Sequence, residues 1–377
     1  MKLSLYSILL SIAFIPPADK ENYLIVGTYD SAKSEGIYVY KFNNTDGSAK
    51  EVSHIKTSNP SYLTISPNEK FVYTVHEIAN NGKGGEVAAF AFNKHNGTLT
   101  YINQQLTGGD HPCYVEIDKT GKWVIVANYS SGNFSVLPVN ADGSLGVATT
   151  IVQDTGSGKI PGRQKGPHAH CVKLSPDNHW LFISDLGIDK IMIYAFDATS
   201  GKITPAKKPF ASSDPGSGPR HFTFSPNNKY GYLVEEISGT VVAYKYNNSS
   251  GTLSRMQRIS TLPAGDTELI GSADIHVSPD GKFLYASNRG KGNSNTIAIF
   301  KINPATGILT AVGHQYTMGK IPRNFNLDPT ANFLLVANQD SDEVVIFKRN
   351  KQTGLLTDSG KRIEVGKPVC IKWMKAE

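Results

Sequence analysis

The sequence predicts an all-β fold: a closed ring of seven four-stranded antiparallel sheets, the seven-bladed β-propeller. Three observations lead there. A hairpin motif recurs six times, as an apolar run, a Ser-Pro-Asn/Asp turn or a variant of it, and a second apolar run. Its anchor residues Pro67, Lys119, Pro176, Pro226, Pro279 and Pro329 lie 52, 57, 50, 53 and 50 residues apart. A second motif, a polar residue, Gly, any residue, then usually Leu or Ile, follows each hairpin, with its glycines at Gly47, Gly97, Gly143, Gly201, Gly251, Gly307 and Gly354. No stretch sustains the 3.6-residue apolar period of a helix. Repeats of this length with four strands each are the sequence form of a propeller.

In chain order, YLIVGTY and GIYVYKF come first, as strands without a preceding partner. The hairpins then run SYLTISPNEKFVYTV from Ser61, CYVEIDKTGKWVIVA from Cys113 and HCVKLSPDNHWLFIS from His170. RHFTFSPNNKYGYLV from Arg220, ADIHVSPDGKFLYAS from Ala273 and RNFNLDPTANFLLVA from Arg323 complete the set. Alternating apolar and polar residues around a Pro-Asn/Asp turn signal a β-hairpin. The second-motif glycine suits a tight turn between third and fourth strands, such as the one after EVAAFAF. The chain ends on KPVCIKW, a first strand without partners. Pairing it with the N-terminal strands completes a seventh blade and removes two exposed sheet edges. A length of 377 residues, ordinarily enough for two or three domains, therefore reads as one domain over residues 19–377.

Residues 1–18 stand apart. Lys2 followed by the uncharged LSLYSILLSIAFIPPA reads as a secretory signal peptide, which implies export, for instance to a periplasm. The run falls short of the roughly 20 apolar residues that span a bilayer, so no membrane span is expected in the mature chain. The alternative is a buried first strand in a cytoplasmic protein.

Only 19% of residues are charged, and the net charge is +6. This mild excess suits an anionic small molecule; without a clustered basic stripe, a nucleic-acid partner is not expected. Three cysteines, Cys113, Cys171 and Cys370, sit in apolar strand-like runs and lack C-x-x-C spacing, which points to core packing. A closed ring has little need of a partner, and a monomer is expected.

In a propeller, equivalent positions of successive blades converge on the central channel. Six residues before the anchor stand Ser61, Cys113, His170, Arg220, Ala273 and Arg323. Ten residues after it stand Glu77, Tyr129, Leu186, Glu236, Arg289 and Gln339, with Tyr29 as the seventh. Strand packing demands none of these charges, and inward polar groups are costly unless paired or functional. One bland explanation is ion pairing between blades, Arg220 with Glu236 and Arg289 with Glu77.

The stretches GPHAHCVKLSPD, GPRHFTFSPN, ADIHVSPDGKFLYASNR and PRNFNLDPTANFLLVANQ resemble the lactonase family of seven-bladed propellers over nearly the whole chain after about residue 22. That family includes propeller-type 6-phosphogluconolactonases and fungal carboxymuconate cyclases. The resemblance implies His170, Glu236, Arg220 and Arg289 as the catalytic set, all four of them within the two columns above. Hydrolysis of a sugar lactone, most simply 6-phosphogluconolactone, needs a base for water and a cation near the oxyanion. His170 is the expected base. Glu236 would orient it, or act as base itself if its pKa is raised. Arg220 and Arg289 would face the oxyanion or an anionic group.

Arg323, Gln339 and Glu77 complete the expected rim. Arg163, in the basic loop 153–167 that makes one blade long, matches an Arg-Gln before the family's His motif and is expected to close over substrate. His168, placed on the same strand face as His170, is expected to contact substrate. Asp274 and His276 lie in a family-like ADIH stretch and are read as substrate contacts or strand supports. No metal or cofactor is expected. The alternatives are a carboxymuconate-lactonizing cyclase and a non-enzymatic binding propeller.

Overall fold

Each hairpin motif forms the inner two strands of a four-stranded antiparallel sheet, and seven such sheets form a ring. The structure is a computed structural model that describes residues 21–79, 84–263, 265, 271–291 and 294–376. The expected signal peptide lies outside the described residues. Blade 1 pairs the C-terminal Pro368–Lys375 with Glu21–Thr28, followed outward by Gly36–Asn43 and Ala49–Lys56. Blade 2 opens on Leu63–Ile65, blade 3 on Pro112–Ile117, blade 4 on Ala169–Leu174, blade 5 on Pro219–Phe224, blade 6 on Gly271–Val277 and blade 7 on Pro322–Leu327. These first strands neighbour one another in ring order, with that of blade 1 between those of blades 7 and 2. Apart from short 3₁₀ turns such as Gln339–Ser341, the described residues are strands and connections. No helix among them is long and apolar enough to cross a membrane.

The second and third strands of each blade are almost wholly buried, and the fourth alternates toward solvent, as in Thr98–Leu106. Blades are joined by a repeated seam. The turn glycine of each blade lies against the aromatic residue near the start of the preceding blade's second strand, from Gly47 on Phe333 and Gly97 on Tyr23 round to Gly354 on Phe283. At Gly201, φ is +71°, and a Cβ would come within 2.5 Å of the Trp123 ring. Glycine is needed there for both conformation and space. All three cysteines are buried and unpaired.

One irregularity positions the chemistry. In blades 3 to 7 the first strand shifts register against the second at its opening. Cys113, His170, the pairs Arg220–His221 and Ala273–Asp274, and Arg323 are the residues left between paired positions. A β-bulge twists the strand and re-aims the extra side chain. The position six before the anchor is thus the bulge position.

Candidate active site

At the bulged end of the channel a cavity of about 220 Å³ is lined by Tyr29, Glu77, Cys113, Tyr129, His170, Glu236, Arg289 and Arg323. Every one belongs to the two aligned columns. The volume lies below the roughly 300–1,000 Å³ of pockets for drug-sized ligands and suits one small ring.

Glu236, just beyond the second strand of blade 5 (Tyr230–Glu235), is the hub. Its Oε2 accepts from Arg220 Nε at 2.8 Å and lies 2.8 Å from an Arg289 guanidinium nitrogen, while Oε1 pairs with Arg163. Burial alone would raise this carboxyl's pKa, but Arg289, Arg220 and Arg163 hold it well below the usual range. Glu236 is therefore ionised, which removes the expected route by which a raised pKa would make it the base. The expected orienting contact is absent too: His170 Nε2 is 4.0 Å from Glu236 Oε2, beyond hydrogen-bond reach. Glu236 acts on His170 through charge alone.

His170 is 4% exposed. Burial, reinforced by the nearby Arg220 guanidinium, pushes its pKa well below 6.5, so the ring is neutral at neutral pH. Its Nδ1 is 3.7 Å from the Cys113 sulfur. Cys113 packs in the core as expected and also reaches the cavity wall, with a thiol that burial keeps protonated.

Arg220 was expected to face substrate, but it is 1% exposed and lies behind Glu236 rather than on the cavity wall. Arg289 lines the cavity, anchored by Nε to Gly271 O at 2.8 Å. It pairs with Glu236 and not, as the ion-pair alternative had it, with Glu77. Burial lowers its pKa to about 10, which still leaves it charged at neutral pH. Glu77 instead accepts from the Tyr29 hydroxyl at 2.8 Å and lies 3.8 Å from Arg323, whose guanidinium sits over the Tyr29 ring. The Arg323–Glu77 separation is too long for a hydrogen bond, so this guanidinium is the one least committed to a protein partner. Four guanidiniums thus surround two carboxylates and a neutral imidazole, leaving an excess of positive charge at the mouth.

The remaining expectations divide. Arg163 reaches Glu236 from the long loop, whose next residue, Gln164, is buried and donates to Leu186 O and Asp189 Oδ1, each at 2.8 Å. His168 precedes the strand rather than sharing a face with His170. It stacks on Tyr129 at 4.5 Å, and the same Tyr129 ring meets His170 edge-on. Its backbone N–H donates to Asp185, which lies beside Asp154. Gln339 does not line the cavity: it sits in a 3₁₀ turn and its amide donates to Asp340. Asp274 and His276 do not line it either. They hold each other at 2.9 Å deeper along the first strand of blade 6, the support role that had been left open.

His221 is the residue that column reading missed. It bonds to Asp274 and Arg220 and meets Tyr62 and Tyr114 from across the channel. The column five before the anchor, which holds Tyr62, Tyr114, Cys171, His221, Asp274 and Asn324, carried the signal. Among the described residues no group of three or more His, Cys, Asp or Glu could hold a metal ion.

Fold and cluster together point to a propeller enzyme with a candidate site at one mouth of its central channel. The model of the seven-bladed β-propeller lactonases matches residues 23–373, and the chain belongs to that family of hydrolases. It is 41% identical to a 6-phosphogluconolactonase of Formosa agariphila over 321 residues, 84% of this chain and 90% of the relative. It is 37% identical to a 6-phosphogluconolactonase of Bacillus subtilis over 350 residues, 93% and 97% of the two chains. The structure of a periplasmic gluconolactonase from Pseudomonas aeruginosa superposes with a TM-score of 0.89 at 37% identity, covering 95% of this chain and all of that one.

Proposed function

We propose that the chain hydrolyses a sugar δ-lactone, with 6-phosphogluconolactone as substrate and 6-phosphogluconate as product. The observation that carries this reading is a neutral His170 beside an excess of guanidinium charge in a small cavity of a lactonase-family propeller. His170 takes a proton from water as its oxygen adds to the lactone carbonyl. Arg289 faces the tetrahedral oxyanion, and Glu236, 4.0 Å from His170, steadies the imidazolium that forms. The ring C–O bond then breaks, and the imidazolium returns its proton to the departing alkoxide. Arg323, the least committed guanidinium, takes the phosphate, with Arg163 closing from the loop. Arg220 acts from behind by holding Glu236.

The names of the two 6-phosphogluconolactonase relatives support the phosphorylated substrate. The Pseudomonas protein's name supports a second reading, an unphosphorylated sugar lactone met after export under the direction of residues 1–18. Hydrolysis of both lactones followed by pH-stat, for wild type, His170→Ala and Arg289→Ala, tests the assignment. Loss of rate in both variants is expected, and equal rates in all three proteins would overturn it. The preferred lactone separates the two readings, and sequencing the mature N-terminus tests export.

A further inference from the structure

We infer that His221, held by Asp274, is a positioning residue for the reaction, acting through Arg220 on Glu236; this rests on the hydrolytic reading above. Three guanidiniums converge on Glu236, but they differ in freedom. Arg163 has a side chain 45% exposed and Arg289 lines the cavity, so both can turn onto a substrate anion. Arg220 alone is wholly enclosed, with NH1 donating to Ala273 O and to His221 Nε2 at 3.2 Å. When substrate draws Arg163 and Arg289 away, Arg220 is the partner that keeps the Glu236 carboxylate in place beside His170.

The bonding fixes the state of His221. A guanidinium only donates, so His221 Nε2 must offer its lone pair, and the proton sits on Nδ1, donating to Asp274 Oδ1 at 2.7 Å. Burial and the adjacent Arg220 push the His221 pKa down to about 3 despite Asp274, so the ring stays neutral. Asp274 cannot turn, because it also accepts from Ile275 N, Phe325 N, Asn324 and His276. Tyr62 and Tyr114 confine the imidazole from the far side of the channel.

The test compares His221→Leu, which keeps bulk, with His221→Gln, which keeps one acceptor and one donor. In the leucine variant kcat falls by ~10- to 100-fold, the scale of a slightly misplaced reacting group. KM and the affinity for 6-phosphogluconate change by less than about threefold, since ground-state contacts remain. Glutamine recovers most of kcat. Equal loss in both variants, or wild-type kcat in the leucine variant, overturns the inference. Nitrogen-15 spectra of the wild-type imidazoles give a check that needs no variant: a neutral Nδ1–H tautomer for His221 at pH 7 is expected, and an Nε2–H or protonated ring overturns it. A wild type inactive on both lactones overturns the hydrolytic reading, and the inference with it.

Discussion

His170 and Arg323 separate two kinds of charge work. His170 is kept neutral by burial and by the cations around it, so it stays available as a base at pH values where an ordinary histidine would be protonated. The acid limb of kcat/KM, corrected for uncatalysed hydrolysis, is therefore expected below pH 6.5; a limb above it would mean that another group titrates. Arg323 lines the cavity with its nearest carboxylate, Glu77, 3.8 Å away and not hydrogen-bonded to it. A charged hydrogen bond contributes roughly 1.5–3 kcal/mol, so Arg323→Ala should raise KM for the phosphorylated lactone by ~10- to 100-fold while kcat changes little. Steady-state kinetics on both lactones checks this, and the unphosphorylated one should respond less. At this scale the sequence exposed the cluster's membership but not its pairing. Glu236 with Arg289 rather than Glu77 with Arg289, and Cys113 on the cavity wall as well as in the core, depend on side-chain directions that no spacing specifies.

The bulge and the seam are the elements that turn repeats into a site. The Gly201–Trp123 contact explains why Gly and aromatic residues recur together: the turn must both adopt a positive φ and leave room for a neighbouring ring. Gly201→Ala is expected to cost about 1–3 kcal/mol, read as a shift in the urea midpoint with an unchanged slope. The carboxyls beneath His168 act in the opposite electrostatic sense to Glu236. Burial, then the charge of Asp185, pushes the Asp154 pKa up to about 8, with Lys190 opposing. The folded protein thus retains a proton that the unfolded chain releases near pH 4. Stability from this pair is fully present below that pH and lost as pH rises toward about 8. Asp154→Asn should flatten the decline between these limits in urea titrations, and an unchanged slope would refute the assignment.

The ring is held shut by chain ends that meet. Pro368–Lys375 pairs with Glu21–Thr28 from Asn22 opposite Lys375 to Thr28 opposite Pro368. Deleting residues 368–377 leaves blade 1 without its inner strand and exposes an edge that is otherwise covered. The truncated chain is expected to lose its cooperative urea transition and to aggregate, as seen by circular dichroism and light scattering. Retained cooperativity would show that six complete blades suffice.

What the sequence by itself determined was the architecture: repeat spacing, alternation and turn residues are local signals, and six hairpins and seven glycine turns reinforce one another. It also placed most of the cavity lining on two columns, because a ring maps residues about 50 apart onto one circle. Only the tertiary structure decided how they meet. The bulges turn His170, Arg220 and Arg323 inward, Arg220 falls behind Glu236, Gln339 turns away, and His221 enters the network from a column that spacing had not singled out. These outcomes depend on packing across the channel between blades distant in sequence, where a shift of one bulge residue redirects a charge.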